Sequence, residues 1–363
     1  MKKYYLLLFV ILLTGCIKEE AKINYEVDAD ELEELRYGLD DYPLILVHGH
    51  AVSVGEAANF LSSYKKTGSF KTFNDFQKKL DEDKLYESKN IILPFHNSSA
   101  CNNIWNKKIS VRTTYYVDYD GEFNDRESIE VYAERLSNVI DIVKKCTNSS
   151  KVNLIGYSMG GLVVREYARN NNENVNKIIT IATPNKGVQK EYLGGLNSLC
   201  GEFRYEEDIE CREMQVNSEF LRKLNEKSID NINYYSINGV IRNKEFFGVA
   251  CLDHGLCNDG VICTKSAQLE NAKNYVFYAE TPLEEFGKGV HNDLIDPETE
   301  PGFKAYNYSI RILANKDLEE NSNEINNSCI NKDINFDVDR INLKNINFKA
   351  QFDKLKSNLL ELF

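Results

Sequence analysis

The sequence of 363 residues has no run of basic side chains, no C-x-x-C pair, no internal repeat and no apolar run longer than ten residues. Histidine is scarce, with five in all: His48, His50, His96, His254 and His291. Each shortage excludes something. A formal net charge of -12 with no compensating basic stretch would repel phosphates, so no nucleic-acid partner is expected. Without C-x-x-C spacing, a cysteine zinc site is not expected. A ten-residue apolar run falls short of the roughly 20 residues that span a bilayer. Few histidines make the search for a general base short.

What is present points first to a compartment. Lys2 and Lys3 precede the apolar run Tyr4 to Leu13, and Leu13-Thr14-Gly15-Cys16 follows directly. Charge, length and small residues fit a signal peptide. The last four residues resemble a lipobox, where cleavage leaves Cys16 as a lipidated N-terminus. A lipoprotein of this kind carries a diacylglyceryl group, meeting the need for more than one chain in stable anchoring. The expectation is export and attachment to the outer face of a membrane. Of nine cysteines, eight remain after Cys16, an even number that suits disulfides in an exported chain. Local guesses pair Cys200 with Cys211 and Cys251 with Cys257.

A hydrophobic fraction of 42% allows a sizeable core in one large domain with appendages. Pro43 to Val47 is a continuous apolar run, suited to a strand buried on both faces. Asn90 to Pro94 reads as another short strand, and residues 101–120 as irregular strands or loops. Ala57 to Tyr64 and Phe73 to Leu80 read as helices. Ser128 to Lys145 has amphipathic helical spacing. Val152 to Ile155 is a strand, Gly156 to Gly161 a tight turn, Leu162 to Asn170 a helix, and Lys177 to Ala182 the next strand. Asn233 to Val240 and Asn274 to Ala279 are the last two strands. This alternation predicts an α/β fold with a mostly parallel sheet, flanked by helices and joined by right-handed crossovers. Residues 187–230 lose the strand rhythm and read as an inserted cap. Residues 317–333 read as a linker, and Phe348 to Phe363 as an amphipathic helix.

The chemistry centres on Gly156-Tyr157-Ser158-Met159-Gly160. The pattern G-x-S-x-G is weak alone, but here it follows a strand and opens a helix, which a nucleophile elbow requires. A serine hydroxyl needs a base. His291 follows the last predicted strand, where the base belongs; His254 is the reserve. The acid should lie between Ser158 and His291, and Asp259 is the choice over Asp253 and Asp296. Asp259 would orient His291 and stabilise the imidazolium. The oxyanion hole would use the backbone N–H groups of Met159 and of His50, in the loop after the first strand. Four N-x-S/T sequons, at Asn97, Asn148, Asn307 and Asn326, would matter only in a host that glycosylates surface proteins.

Together with Leu46-Val47-His48-Gly49, Ala182-Thr183-Pro184-Asn185-Lys186-Gly187, Asn258-Asp259-Gly260-Val261 and His291-Asn292-Asp293, the elbow resembles the true lipases of the α/β-hydrolase superfamily. These include bacterial triacylglycerol lipases and PGAP1-like serine hydrolases. The resemblance covers about residues 42–313, by motifs. It implies an α/β-hydrolase fold and a lipase- or esterase-like activity on acyl-ester or lipid substrates. In such lipases the Asp of a His-Leu-Asp segment helps bind calcium. Here Asn292 replaces Leu and Asp293 keeps the acid, so Asp293 is the candidate calcium ligand, and no other cofactor is implied. A thioesterase, amidase or acyltransferase would use the same triad, and a non-catalytic surface binding protein is the rival of another class. The expected layout is a signal peptide at 1–15, a tether at 16–40, a hydrolase domain at 41–315 with a cap at about 187–230, and a linker and helix at 316–363. Phe203, Tyr205, Phe220 and Leu221 would line the acyl pocket or form the core of the cap.

Overall fold

The apolar runs become a seven-stranded sheet in the computed structural model, which describes residues 25–50, 68–101, 103–188, 208–226, 232–241, 258–279, 290–316 and 318. The strands are β1 (Leu44–Val47), β2 (Glu87–Ser88), β3 (Ile109–Thr113), β4 (Val152–Tyr157), β5 (Val175–Ile181), β6 (Asn233–Ile241) and β7 (Lys273–Ala279). They lie in the order β2-β3-β1-β4-β5-β6-β7, and every pairing is parallel.

Side-chain alternation distributes each strand between two cores. Ile45 and Val47 of β1 and Val152 and Leu154 of β4 pack on one face of the sheet; Leu44 and Leu46, with Ile155 and Tyr157, pack on the other. The first face is covered by α3 (Ile129–Thr147) and α4 (Met159–Asn170), through residues such as Leu136, Ile140, Leu162 and Val163. The second is covered by α1 (Ala29–Gly38), α2 (Asn74–Glu82) and α8 (Glu300–Leu313), through Leu35, Phe76, Leu80, Tyr306 and Ile310. Burial on both faces explains why β1 reads as an unbroken apolar run.

Three expectations are modified, and one helix is new. The segment 16–40 was read as a tether, yet α1 lies within it and docks: Leu35 is fully buried, Arg36 donates to the carbonyl of Asp83, and Arg311 pairs with Glu31. One buried leucine is worth roughly 2 kcal/mol, enough to hold a short helix whose Asp28 cap is also in place. The strand expected at Asn90 to Pro94 pairs earlier, at Glu87–Ser88, and the chain beyond continues with only isolated ladder bonds from Lys89 and Ile92. Proline at 94 can donate nothing to a ladder. Residues 101–120 contain a full interior strand, β3, whose alternating Ile109, Val111 and Thr113 are buried. Helix α8 was not anticipated; its signals are the Thr299 cap, which accepts from Gly302 N, and Pro301 in its first turn.

The cap contributes α5 (Ile209–Glu213) and α6 (Glu219–Glu226), and no strand among its described residues. The short α7 (Thr264–Ala267) precedes β7. The helix expected at Ala57 to Tyr64 and the helix expected at Phe348 to Phe363 lie outside the described residues, as does the signal segment.

Candidate active site

The chain runs from β1 to β2 at the sheet edge and back to β3 on one side, then crosses to β4 on the other. The β1/β4 boundary is therefore a switch point, and in open sheets of this kind the carboxyl ends of the strands at such a point are where ligands bind. The loop His48-Gly49-His50 leaves β1 there, and Ser158 leaves β4 there.

Ser158 stands between β4 and α4 with φ 50° and ψ -127°, a conformation that L-residues rarely accept. Its N–H donates to Ile181 O at 2.8 Å, and its carbonyl accepts from Gly161 N at 3.0 Å. The turn has room for no side chain at its glycines. A Cβ on Gly156 would lie 2.6 Å from Gly161 Cα, and one on Gly160 would collide with the carbonyl oxygen of His48. This is a strand-turn-helix elbow with the serine at its tip.

Three residues far apart in sequence meet at that tip. His291 Nε2 lies 3.1 Å from Ser158 Oγ, and His291 Nδ1 lies 2.7 Å from Asp259 Oδ2. The other carboxylate oxygen, Oδ1, accepts from the backbone N–H groups of Val261 at 2.9 Å and Ile262 at 2.7 Å. All three side-chain residues are buried, at 6%, 4% and 2% exposure for Ser158, His291 and Asp259. An acceptor-only carboxylate requires the proton on Nδ1. The lone pair of Nε2 then faces the serine hydroxyl. Asp296 stands elsewhere: its carboxylate accepts from Glu298 N at 3.0 Å in the turn before α8. His254 and Asp253 lie outside the described residues.

The loop after β1 presses on the elbow, since a Cβ on Gly49 would lie 2.8 Å from Ser158 Cβ. His48 holds the loop rather than acting as a base. Complete burial pushes its pKa down to about 3, so the ring is neutral. Its Nδ1 donates to Gly49 O at 2.7 Å, and its Nε2 accepts from Thr114 Oγ1 at 3.1 Å. Its carbonyl accepts from Tyr115 OH at 3.0 Å. The carbonyls of His48 and Gly49 are thus tied to buried donors. Met159 is the first residue of α4, where N–H groups have no partner within the helix.

Sequence reasoning missed two contacts of this site. Tyr157 OH reaches His291 O at 3.1 Å and Asn292 Oδ1 at 3.0 Å. Glu210 of the cap helix α5 is fully buried against the loop after β1: its Oε2 lies 2.8 Å from His50 Nε2, without hydrogen-bond alignment, and accepts from Tyr116 OH at 3.5 Å, while its Oε1 accepts from Tyr132 OH. Tyr157 occupies a variable position of the motif, and Glu210 sits in a stretch with no pattern at all. Phe220 and Leu221 belong to the core beneath the cap, with Met214 and Leu224; Phe203 and Tyr205 lie outside the described residues.

Among the described residues, the one group of three or more His, Cys, Asp or Glu close enough to share a metal is His50, Asp208 and Cys211. The Cys211 sulfur is in a disulfide and offers no thiolate. Asp293 is not in that group. Cys101 and Cys146 form a disulfide, and Cys211 and Cys263 are also disulfide-bonded; Cys200, Cys251 and Cys257, named in the expected pairings, lie outside the described residues.

The family model described as palmitoyl protein thioesterase matches residues 43–242, more than half of the chain. The chain belongs to the palmitoyl protein thioesterase family. It is a hydrolase acting on ester-type bonds, with the α/β-hydrolase architecture described above. Distant likenesses exist among solved structures. The mature lipase BlEst2 of Bacillus licheniformis is 16% identical, with 75% of this chain and 91% of that chain covered and a TM-score of 0.46. The metagenomic carboxyl esterase MGS0156 is 14% identical, with 76% of each chain covered and a TM-score of 0.45. Lipase B of Aspergillus fumigatus is 15% identical, with 85% and 62% covered and a TM-score of 0.43. No curated protein matches the chain.

Proposed function

We propose that the chain hydrolyses carboxylic esters of acyl or lipid substrates through Ser158, His291 and Asp259. The observation that carries this reading is the unbroken hydrogen-bond chain from Ser158 Oγ through the His291 ring to Asp259. His291 Nε2 takes the hydroxyl proton as Oγ forms a bond to the acyl carbon. The carbonyl oxygen becomes an oxyanion, for which the N–H groups of Met159 and His50 are the donors. The intermediate collapses, the bond to the leaving group breaks, and His291 returns the proton to that group. Water then gives a proton to His291 and its oxygen to the acyl carbon. The carboxylic acid leaves, and Ser158 Oγ recovers its proton. Asp259 keeps its charge throughout and stabilises the imidazolium.

A second reading, thioester hydrolysis, is favoured by the family to which the chain belongs. The same steps apply with a thiolate as leaving group. Parallel assays with p-nitrophenyl esters of increasing chain length and with a palmitoyl thioester compare the two. The first reading expects the higher kcat/KM on esters; a thioester preference of about tenfold or more, roughly 1.4 kcal/mol in barrier, moves the assignment to the second.

The working place of the enzyme is the outer face of a membrane, with Cys16 lipidated. Support comes from the Lys2-Lys3, Tyr4–Leu13 and Leu13–Cys16 sequence and from the disulfide-bonded cysteines.

A further inference from the structure

His291 is reached from four directions by three residues. Asp259 supplies two contacts: its carbonyl accepts His291 N–H at 3.1 Å, and its carboxylate meets Nδ1 at 2.7 Å. The elbow supplies the other two from adjacent residues. Ser158 Oγ meets Nε2 at 3.1 Å, and Tyr157 OH donates toward His291 O at 3.1 Å and Asn292 Oδ1 at 3.0 Å. Asp259 and Ser158 thus hold the ring, while Asp259 and Tyr157 hold the backbone that carries it. We infer that Tyr157 is a positioning residue, which uses its hydroxyl to fix the His291-Asn292 backbone over the nucleophile that follows it in sequence.

The surroundings suit that task. Tyr157 is buried, its ring stands 5.1 Å from the His291 ring, and Phe73 meets it edge-on at 6.3 Å. The ring is thus confined on the β-sheet face opposite α4, against the His291 ring, and its hydroxyl reaches the backbone of the histidine loop. Burial first, then the nearby carboxylates of Asp259 and Asp293, raise its pKa well above the ordinary value. The hydroxyl stays a donor at any pH at which the enzyme works. Asn292 shares it as acceptor, which gives the departure from the His-Leu-Asp pattern a use: the amide oxygen of Asn292 completes a clamp that leucine could not make.

The inference rests on the proposed roles of Ser158 and His291, and the test separates the two. Kinetics on a p-nitrophenyl ester are measured for wild type, Ser158→Ala, His291→Ala, Tyr157→Phe, Asn292→Ala and the double variant Tyr157→Phe/Asn292→Ala. Tyr157→Phe keeps the ring and removes only the donor. It is expected to lower kcat by about 5–10-fold, as for one lost hydrogen bond, with KM changed less than about twofold. Labelling of Ser158 by a fluorophosphonate should slow in step, because both depend on His291 taking the serine proton. Asn292→Ala, at an exposed position, should act in the same direction, and the double variant should lose less than the product of the singles. Wild-type kcat and labelling in both single variants would overturn the clamp, as would a lowered melting temperature with no kinetic change. Activity surviving in Ser158→Ala or His291→Ala would instead overturn the underlying assignment of the triad.

Discussion

Ser158 holds a backbone conformation that costs an L-residue about 1–3 kcal/mol, and the neighbouring packing sustains it. That strain gives a prediction at a single residue. Ser158→Gly relieves it and is expected to raise the melting temperature by about 2 °C or more, while Ser158→Ala, equally strained, gains nothing. Both are inactive. Differential scanning calorimetry of the two variants settles it, and equal melting temperatures would show the turn to be unstrained. At this scale the sequence was informative where a residue carries a motif. Ser158, His291 and Asp259 could be picked out because elbow, strand order and scarcity of histidine leave few choices. Tyr157 with His291 and Glu210 with His50 could not, since each contact joins segments more than a hundred residues apart and neither alters a local pattern.

Elements were legible in proportion to their burial. β1, β4 and β5 are buried on both faces and rich in Val, Leu and Ile, whereas β2, two residues long at the sheet edge, has one exposed and one half-buried side chain and gives no signal. α1 shows only as a short helical pattern around Leu32 and Leu35 in a segment that reads as a tether, because its acidic, exposed face dominates and Leu35 is its one fully buried side chain. The cap helix α5 carries its own prediction. Glu213 accepts from Ile129 N at 2.6 Å at the start of α3, and burial pushes its pKa up from 4.5 to about 7. The folded protein therefore binds a proton there that the unfolded chain has lost. Its contribution to stability is full below pH 4.5 and is lost as pH rises through about 7. Glu213→Gln keeps an acceptor for Ile129 and removes the titration. The variant should match wild type at low pH and melt about 2 °C or more above it at pH 8, as followed by circular dichroism. A constant difference at every pH would rule out this linkage.

On the scale of the whole molecule, the sheet and its two helical layers followed from alternating strand and helix patterns, but the attachment of the domain to its surroundings rests on the first 16 residues. Among the described residues no helix is long and apolar enough to cross a membrane. Anchoring through Cys16 thus predicts that Cys16→Ala moves the full-length protein from the detergent phase to the aqueous phase on phase separation, with specific activity unchanged; persistence in the detergent phase would argue for another mode of attachment. The Cys101–Cys146 disulfide, closing a span of 45 residues, ties the segment before β3 to the end of α3. The most direct test of the account as a whole is fluorophosphonate labelling of the intact protein, read by mass spectrometry of the peptide containing Ser158. The account predicts a single modified site at Ser158, absent in Ser158→Ala and strongly slowed in His291→Ala. No labelling of wild type, or equal labelling of Ser158→Ala, would contradict it.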